Sequence, residues 1–307
     1  MPAVSTFAVI ASRATPTNAR LGPVLTPAQA VARLGPGDVA LGRLDVLPSL
    51  DGVEPGLWAL DLLERRGVTV LNARETLATA HDKLATAEAL ASAGIPHPPT
   101  DHVAPWLPLP ALEPPLVMKP RFGSWGRDVT RCDDADDLAG ALEASRRRVW
   151  FNATGGVLQR LVPTSGFDLR IVVAAGRVAG AVMRLAPPGE WRTNVALGAR
   201  RVPVAPPADA CRLALAAAKA VGGDLVGVDL LPLPGDGWLV LEINGAVDFN
   251  GAYSFDAEIF SVVRSALFAG VGFEADARIG RGALGGGVSH GLPRMRPDGA
   301  AGPLAAS

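Results

Sequence analysis

The chain has 307 residues, of which 49% are apolar and 19% are charged, and its formal net charge is −1 at pH 7. This composition is that of an ordinary soluble globular protein with a sizeable core. The small net charge gives no broad basic surface for nucleic acid or anionic membranes. The sequence contains no run of about eighteen apolar residues, so we predict no transmembrane helix. The N-terminus lacks the basic residues with which a signal peptide begins. We expect a cytoplasmic protein without nucleic-acid or membrane partners, in which Cys132 and Cys211 are reduced.

Strand and helix signals alternate along the first 75 residues, which predicts a small α/β lobe. Apolar runs predict strands at 6–11, 39–42 and 68–72, and a helical pattern bounded by Pro55 and Gly67 predicts a helix at 55–67. A run of good helix formers predicts one helix over 75–93. The proline-rich connector at 97–115 then indicates a boundary between lobes.

The alternation continues beyond the connector and predicts α+β or α/β architecture. Strands are predicted at 116–120 and 156–162 around a helix at 134–147, and a hairpin at 168–185 turns at Ala175 and Gly176. A polar loop at 187–200, a helix at 207–222, a second hairpin within 225–251 and a last helix at 254–270 follow. Glycine, proline and serine dominate the remainder, so we predict a disordered tail at 274–307.

Two acidic residues, Asp229 and Glu242, lie inside the apolar strands of the second hairpin, where a carboxylate is costly. If Gly235 and Asp236 form a two-residue turn, Asp229 lies directly opposite Glu242. Asn244 then shares their face, because side chains alternate along a strand. The other face is predicted to be a core layer of aliphatic residues: Val226, Val228, Leu230, Leu239, Leu241 and Ile243.

Opposed like charges about 5 Å apart destabilise a hairpin, so this pair needs compensation. One acid can stay protonated, an arginine can pair with both, a divalent cation can bridge them, or the face can be solvated. Two carboxylates and an amide oxygen are hard ligands that suit Mg²⁺ carrying nucleotide phosphates. The spacing leaves the metal site and the structural pairing with arginine as alternatives.

Other segments could serve a nucleotide but are not specific by themselves. Lys119 ends an apolar strand and precedes a loop in which Gly123 and Gly126 let the backbone approach a ligand. An ordinary strand–turn–helix connection explains the same pattern, and Lys83 is compatible with a solvated helix position. Neither a G-x-G-x-x-G after a strand nor a GxxxxGK[ST] is present, so a Rossmann dehydrogenase or P-loop NTPase is not expected.

In their order, five segments of the chain resemble the ATP-grasp superfamily and, within it, the RimK-type carboxylate–amine ligases. The segments are HDKLATAEALASAGIPHPPT, LVMKPRFGSWGRDV, VLQRLVPTSGFDLRIVVAAGRVAGAVMR, EWRTNVALGAR and VGVDLLPLPGDGWLVLEINGAVDF. The resemblance implies an ATP-grasp fold with an N-terminal α/β lobe at 1–75 and an ATP-grasp domain at 76–273. The nucleotide-clamping lobe would span about 113–185 and the catalytic lobe about 186–273.

The resemblance also implies the site residues. Those it assigns to ATP are Lys83, Lys119, Gly123, Ser124, Trp125, Gly126, Gln159, Arg160, Leu161, Val162, Asp168, Arg170 and Thr193. Arg192 and Asn194 match positions near the transferred phosphoryl group. Asp229, Glu242 and Asn244 fall on the family's ligands for Mg²⁺, which Mn²⁺ could replace.

In such enzymes a substrate carboxylate attacks the γ-phosphate of ATP, and an amine then displaces phosphate from the acyl phosphate to give an amide. The GSWGR motif and the pair Asp248-Phe249 after EIN are similar to LysX-type ligases, which join aminoadipate or glutamate to an amino-group carrier protein. This similarity implies that Asp248 and Phe249 contact substrate. It predicts the addition of glutamate or a related acidic amino acid to a small amine, a carrier protein or a peptide. A homo-oligomer is compatible with this expectation.

The chain departs from the pattern at one position close to the reacting centre. Leu197-Gly198-Ala199 stands where these proteins have Arg-Gly-Gly, so one cation is lost unless Arg200 or Arg201 replaces it. Asp248 also stands where the subgroup often has Glu. The alternative function is therefore a catalytically inactive ATP-binding scaffold or sensor of the same fold.

Overall fold

The structure of the chain is a computed structural model that describes residues 5–46, 56–163, 165–235 and 237–273. Within these residues the chain forms three sheets with helices packed on them, which confirms the predicted mixture of α/β and α+β elements. The predicted tail at 274–307 lies outside the described residues. The lobe boundaries at 75 and 185 remain predictions.

The first sheet is parallel, with strand order β2-β1-β3-β4. Its strands are β1 (Phe7–Ile10), β2 (Val24–Leu25), β3 (Val39–Gly42) and β4 (Thr69–Leu71), connected by α1 (Pro16–Leu21), α2 (Pro27–Arg33) and α3 (Leu57–Arg65). The strands at 6–11, 39–42 and 68–72 and the helix at 55–67 are confirmed, whereas β2, α1 and α2 were not predicted. Thr15 and Thr26 cap the two missed helices and each precedes a proline, so the sequence does carry signals for them.

The helix predicted over 75–93 is wrong in one respect, because it consists of two helices, α4 (Arg74–His81) and α5 (Lys83–Ser92). Asp82 interrupts the helix, since its backbone is extended and its carboxylate accepts from the amides of Leu84 and Ala85. The same carboxylate accepts hydrogen bonds of 2.6–2.9 Å from Arg121. Lys83 is thus the first residue of α5, next to the loop that contains Arg121.

The second sheet is antiparallel, with strand order β5-β8-β6-β7. It comprises β5 (Thr100–Val103), β6 (Leu116–Pro120), β7 (Thr130–Cys132) and β8 (Gly156–Arg160), and α6 (Ala135–Ser145) and α7 (Val149–Ala153) pack on one face. The predicted strands at 116–120 and 156–162 and the helix at 134–147 are confirmed. The proline-rich connector nevertheless contains β5, which lies at the edge of the sheet, where flanking prolines are tolerated.

The third sheet is antiparallel, with strand order β11-β10-β9-β12-β13. Its strands are β9 (Phe167–Ala174), β10 (Arg177–Leu185), β11 (Arg200–Pro203), β12 (Leu225–Pro232) and β13 (Trp238–Asn244). The alanine-rich face of α8 (Ala208–Ala220) covers one side, and α9 (Ile259–Gly270) packs on the other together with the first sheet. The turn at Ala175 and Gly176 is confirmed, with φ of 44° and 71°, but the last helix begins at Ile259 and not at 254.

The hairpin of β12 and β13 has the predicted pairing of Asp229 with Glu242 but a different route to it. A five-residue connection, 233–237, replaces the predicted two-residue turn. A bulge compensates, because Leu230 pairs with Val240 and Leu241 is the extra residue. Val240 therefore takes the place predicted for Leu239 and Leu241 in this core layer, although Leu239 is itself buried.

In the described part of the chain, no helix is long and apolar enough to cross a membrane. Cys132 is buried and Cys211 is half-buried, and neither forms a disulfide bond.

Candidate active site

A cleft lies between the second and third sheets, and most of the predicted site residues line it. They are Lys83, Lys119, Gly123, Ser124, Trp125, Gly126, Gln159, Arg160, Leu161, Val162, Asp168, Arg192, Thr193, Asn194, Asp229 and Glu242. Arg170, Asn244 and Asp248 line a wider cleft that adjoins it and shares Lys119 and Glu242. Residues far apart in sequence therefore meet in one continuous space.

The two predicted lysines lie in this cleft in different environments. Lys119, on β6, donates to Gln159 Oε1 at 2.6 Å. Burial lowers the pKa of Lys119 to about 8, although the nearby Glu242 carboxylate opposes the shift. Lys83 Nζ donates to the carbonyl oxygen of Gly123 at 2.7 Å, so its side chain bridges α5 and the glycine-containing loop.

The loop at 121–129 is folded against the loop at 190–200, on the other side of the cleft. Its backbone has positive φ at four residues, Gly123, Trp125, Gly126 and Asp128, and glycine adopts such a backbone without a steric cost. Arg192 Nη1 donates to the carbonyl oxygen of Gly126 at 3.1 Å, and a Cβ at Gly126 would lie 2.7 Å from Asn194 Oδ1. The loop thus closes over the cleft and contacts both predicted catalytic residues.

The segment 159–162, which the resemblance assigns to ATP, comprises the last two residues of β8 and the two residues after it. The amides of Arg160 and Leu161 donate to the carbonyl oxygens of Pro99 and Pro115, at 2.9 and 3.0 Å. Among the described residues no acceptor is found for the Val162 amide, which leaves it for a ligand. The Gln159 side chain is occupied by Lys119 and by Thr100.

A network of two carboxylates and two guanidinium groups forms the floor of the cleft. Asp229 accepts a bidentate pair of bonds from Arg170, both at 2.6 Å, and a third from Arg184 at 2.8 Å. Burial would raise the pKa of Asp229, but the two arginines hold it below its usual value. The pairing with arginine, one of the alternatives for this acid, is therefore present.

Asp168 is the second carboxylate of the network and is fully buried. Arg184 donates to both of its oxygens and Thr193 Oγ1 donates at 2.5 Å, so the carboxylate is held in the floor of the cleft. Burial raises the pKa of Asp168, and the Arg184 guanidinium offsets this only in part.

Arg184 was missed from the sequence. A two-residue turn at 175–176 would not place it opposite Asp168; a register shift between Val178 and Gly180 does. The sequence did carry one signal for Arg184, because two acids inside apolar strands need cations to pair with when they are buried.

The residues proposed for a divalent cation fit its chemistry. Asp229 Oδ1 accepts only one hydrogen bond in the described residues, so a lone pair remains for a cation. The Asn244 amide lies 3.3 Å from both Glu242 Oε1 and Arg170 Nη2, and it satisfies both when its nitrogen faces Glu242. In the other orientation its oxygen faces the Glu242 carboxylate, which a cation between them would stabilise. No group of three or more His, Cys, Asp and Glu side chains suited to a metal occurs among the described residues; the proposed set contains two carboxylates and an amide.

The loop at 190–200 supplies further cations. Glu190 accepts from Arg192 Nε at 2.9 Å and from Nη2 at 2.8 Å, and these bonds lower the pKa of Glu190 to about 2. Of the two arginines considered as replacements for the family arginine, Arg201 lines the wider cleft and has a buried Nε, whereas Arg200 is exposed.

The two predicted substrate residues separate. Asp248 is exposed at the edge of the wider cleft. Phe249 is buried against Phe260, with ring centroids 4.9 Å apart, and lines neither cleft. The expectation that Phe249 contacts substrate is therefore wrong, because the chain after β13 places this side chain in the core.

The balance of charge in the smaller cleft favours a polyanion. Its lining contains six basic side chains and three acidic ones, and two of the acids are already paired with arginine. The basic residues are Lys83, Lys119, Arg127, Arg160, Arg184 and Arg192. A ligand with several negative charges would neutralise this excess.

A family model described as the RimK-like ATP-grasp domain matches residues 80–259. Glutamate–LysW ligase ArgX of Sulfurisphaera tokodaii is 30% identical over 225 residues, which cover 70% of this chain and 78% of that protein. Alpha-aminoadipate–LysW ligase LysX of Saccharolobus solfataricus is 32% identical over 192 residues, covering 61% and 70%.

Solved structures show the same fold. A RimK domain ATP-grasp protein from Sphaerobacter thermophilus matches with a TM-score of 0.60 and 20% identity, covering 85% of this chain and 99% of that one. D-alanine–D-alanine ligase from Bacillus anthracis, complexed with ATP, matches with a TM-score of 0.61 and 16% identity, covering 87% and 96%. The predicted ATP-grasp fold and RimK-type resemblance are confirmed, and the chain belongs to the RimK-like ATP-grasp family.

Proposed function

We propose that the chain is an ATP- and Mg²⁺-dependent carboxylate–amine ligase that adds glutamate or a related acidic amino acid to an amine, a carrier protein or a peptide. The observation that carries the proposal is the meeting of Lys83, Lys119 and the closed glycine loop with the facing acids Asp229 and Glu242 in one cleft. Relatives named as glutamate and aminoadipate ligases for LysW support the substrate class and the carrier acceptor.

The residues of the cleft divide the work of binding ATP. Lys83 and Lys119 contact the phosphates, and the backbone at 123–126 covers them. The Val162 amide meets the adenine edge. Arg170 holds Asp229 directly, whereas Thr193 holds Asp168 and Asp168 holds Arg184, which also pairs with Asp229. The part of these residues in nucleotide binding is therefore positional.

The reaction balances without a covalent enzyme intermediate. A substrate carboxylate oxygen bonds to the γ-phosphorus as ADP leaves, and an amine nitrogen then bonds to the acyl carbon as phosphate leaves and the nitrogen loses a proton. Arg192, beside the closed loop, stabilises the charge that develops on the transferred group, and Asn194 orients it. The closed loop keeps water from the acyl phosphate.

Asp229, Glu242 and Asn244 would hold the divalent cation. When bound, Mg²⁺, or Mn²⁺ in its place, supplies positive charge to the phosphates as they react. The arginine pairing of Asp229 keeps that acid ionised for this role, because Arg170 and Arg184 lower its pKa.

A phosphate-release assay tests the function with ATP, Mg²⁺ and a panel of acidic amino acids paired with amines and peptides. Release that requires both a carboxylate and an amine is expected. Release independent of any added substrate would contradict the proposal.

The second candidate is an ATP-binding scaffold or sensor without ligase activity. Leu197 favours it, because the aliphatic side chain lies against the glycine loop where the family has a cation. Arg201, which lines the adjoining cleft, is the replacement that the ligase requires. Tight ATP binding without turnover on any pair would support the scaffold.

A further inference from the structure

The wider cleft reaches the carboxyl edge of the first sheet at the point where its strand order reverses. From β1 the chain goes to β2 on one side and then crosses to β3 on the other. In open parallel sheets, ligands bind in the crevice outside the strand ends at such a switch point. Ser12 and Arg13, which follow β1, and Arg43 and Asp45, which follow β3, line the cleft here.

Arg43 is the unusual residue of this crevice. Its side chain is 1% exposed, and burial lowers its pKa to about 10. Nε donates to Asn18 Oδ1 at 2.5 Å and Nη2 donates to the carbonyl oxygen of Val247 at 2.6 Å. Nη1 is buried and has no hydrogen-bond partner in the described part of the chain.

The charge of Arg43 is only weakly compensated. Two carboxylates act on this charge, Asp248 and Asp45, and both side chains are about two-thirds exposed; the nearer oxygen of Asp248 is 3.7 Å from Nη2. A buried guanidinium with an unpaired donor is costly unless an acceptor arrives. The unpaired group at this site is thus a donor suited to a carboxylate.

Other unpaired groups of the same cleft are donors as well. Trp150 Nε1 and Arg201 Nε are buried without partners among the described residues, and both residues line the cleft. Lys119 and Glu242 line this cleft and the nucleotide cleft alike. A molecule bound at Arg43 therefore lies in a space continuous with the reacting centre.

The flanking acids select the kind of anion. Asp45 and Asp248 line the crevice with side chains about two-thirds exposed. Two carboxylates would repel a phosphate or a simple dicarboxylate, but they would attract an ammonium group. Arg43 can therefore bind the carboxylate of an amino acid zwitterion while Asp45 and Asp248 attract its ammonium group.

We propose that Arg43 binds, through Nη1, a carboxylate of the amino-acid substrate that does not react, in the crevice between the ends of β1 and β3. The proposal rests on the proposed function, since it names the place of that function's acidic amino acid. Arg43 is then a specificity-determining residue, and the ammonium group lies towards Asp45 and Asp248.

Titration calorimetry of the full chain with L-glutamate, in the presence of ADP and Mg²⁺, tests the proposal on the unaltered protein. L-glutamine and isoglutamine each lack one carboxylate. We expect one of the two amides to bind roughly ten- to hundredfold more weakly than glutamate, which also identifies the carboxylate that Arg43 holds. Equal binding of all three would overturn the proposal.

The variant Arg43→Lys should weaken glutamate binding by a similar factor and leave ADP binding within about twofold, which also shows that the variant is folded. Arg66→Lys is the matched control, because Arg66 also lies beside the first sheet and donates to a backbone carbonyl, but it is exposed. Unchanged glutamate affinity in Arg43→Lys would overturn the site and leave the ligase standing. Loss of affinity in a protein without turnover would support the site and count against the ligase.

Discussion

The closed glycine loop can be tested by adding a single methyl group. Gly126 has φ of +70°, and a Cβ there would lie 2.7 Å from Asn194 Oδ1 and 3.1 Å from Leu197 Cδ1. In Gly126→Ala the left-handed backbone costs about 1–2 kcal/mol, and the loop or the Asn194 amide must also move. Gly176→Ala is the matched control, because Gly176 has φ of +71° in a hairpin turn with nothing within 4 Å of its Cβ position.

We expect both variants to lose about 1–2 kcal/mol of unfolding free energy, measured by denaturant titration. Only Gly126→Ala should lose activity, because displacement by about 1 Å near the reacting atoms costs roughly a hundredfold in rate. The assay is phosphate release at varied ATP, read as kcat/KM, together with the Kd for ADP. Equal kcat/KM values for the two variants, within about twofold, would refute the role of the closed loop.

Three other predictions concern charged residues of the cleft. Burial lowers the pKa of Lys119 to about 8, and bound phosphates would raise it again. The binding of ADP should therefore be accompanied by the uptake of about half a proton at pH 8 and of almost none below about pH 6.5. Calorimetry in buffers of different ionisation enthalpy measures this uptake, and uptake that persists in Lys119→Arg would count against the assignment. Arg184→Met should lose about 3–5 kcal/mol of unfolding free energy, because it leaves the buried Asp168 without a cation and removes one of the two cations that pair with Asp229. The exposed Arg177→Met on the same strand should change the unfolding free energy by less than about 0.5 kcal/mol, and equal losses in the two variants would contradict the network. Glu242→Gln should fold normally, since no described residue forms an ion pair with Glu242. Its turnover and its Mn²⁺ affinity, measured with ADP, should each fall at least about a hundredfold. Full activity in this variant would show that Glu242 is not part of the metal site.

The predicted pairing of Asp229 with Glu242 was right although its stated reason was incomplete. The connection of β12 and β13 is longer than two residues, and the bulge at Leu241 restores the register at the acids. Bulges depend on the packing of the whole sheet, so the spacing of residues in one hairpin does not specify them. For the same reason Leu239 and Leu241 were placed on the wrong face.

The break between α4 and α5 shows a different limit. The residues at 75–93 are good helix formers, and their propensity predicts one helix. Aspartate is a favoured N-cap residue, but an Asp within a run of helix formers ends a helix only when its extended backbone is held. Arg121, far along the chain, supplies that hold by a bidentate ion pair with Asp82, in which Nε donates to Oδ1 and Nη2 to Oδ2. The tertiary contact outweighs the local preference and turns Lys83 towards the glycine loop.

The sequence by itself determined the local elements and the chemical groups of the cleft. Periodicity, caps and turn residues lie within a few positions of one another, so they specify the strands around Lys119 and the turn at Ala175 and Gly176. Only the tertiary structure decided which cations meet the buried Asp229, through Arg170 and Arg184, and which residue near the first sheet keeps an unpaired donor, Arg43. Ion pairs between strands change with a register shift of one residue, and burial depends on how three sheets pack, which no local pattern contains.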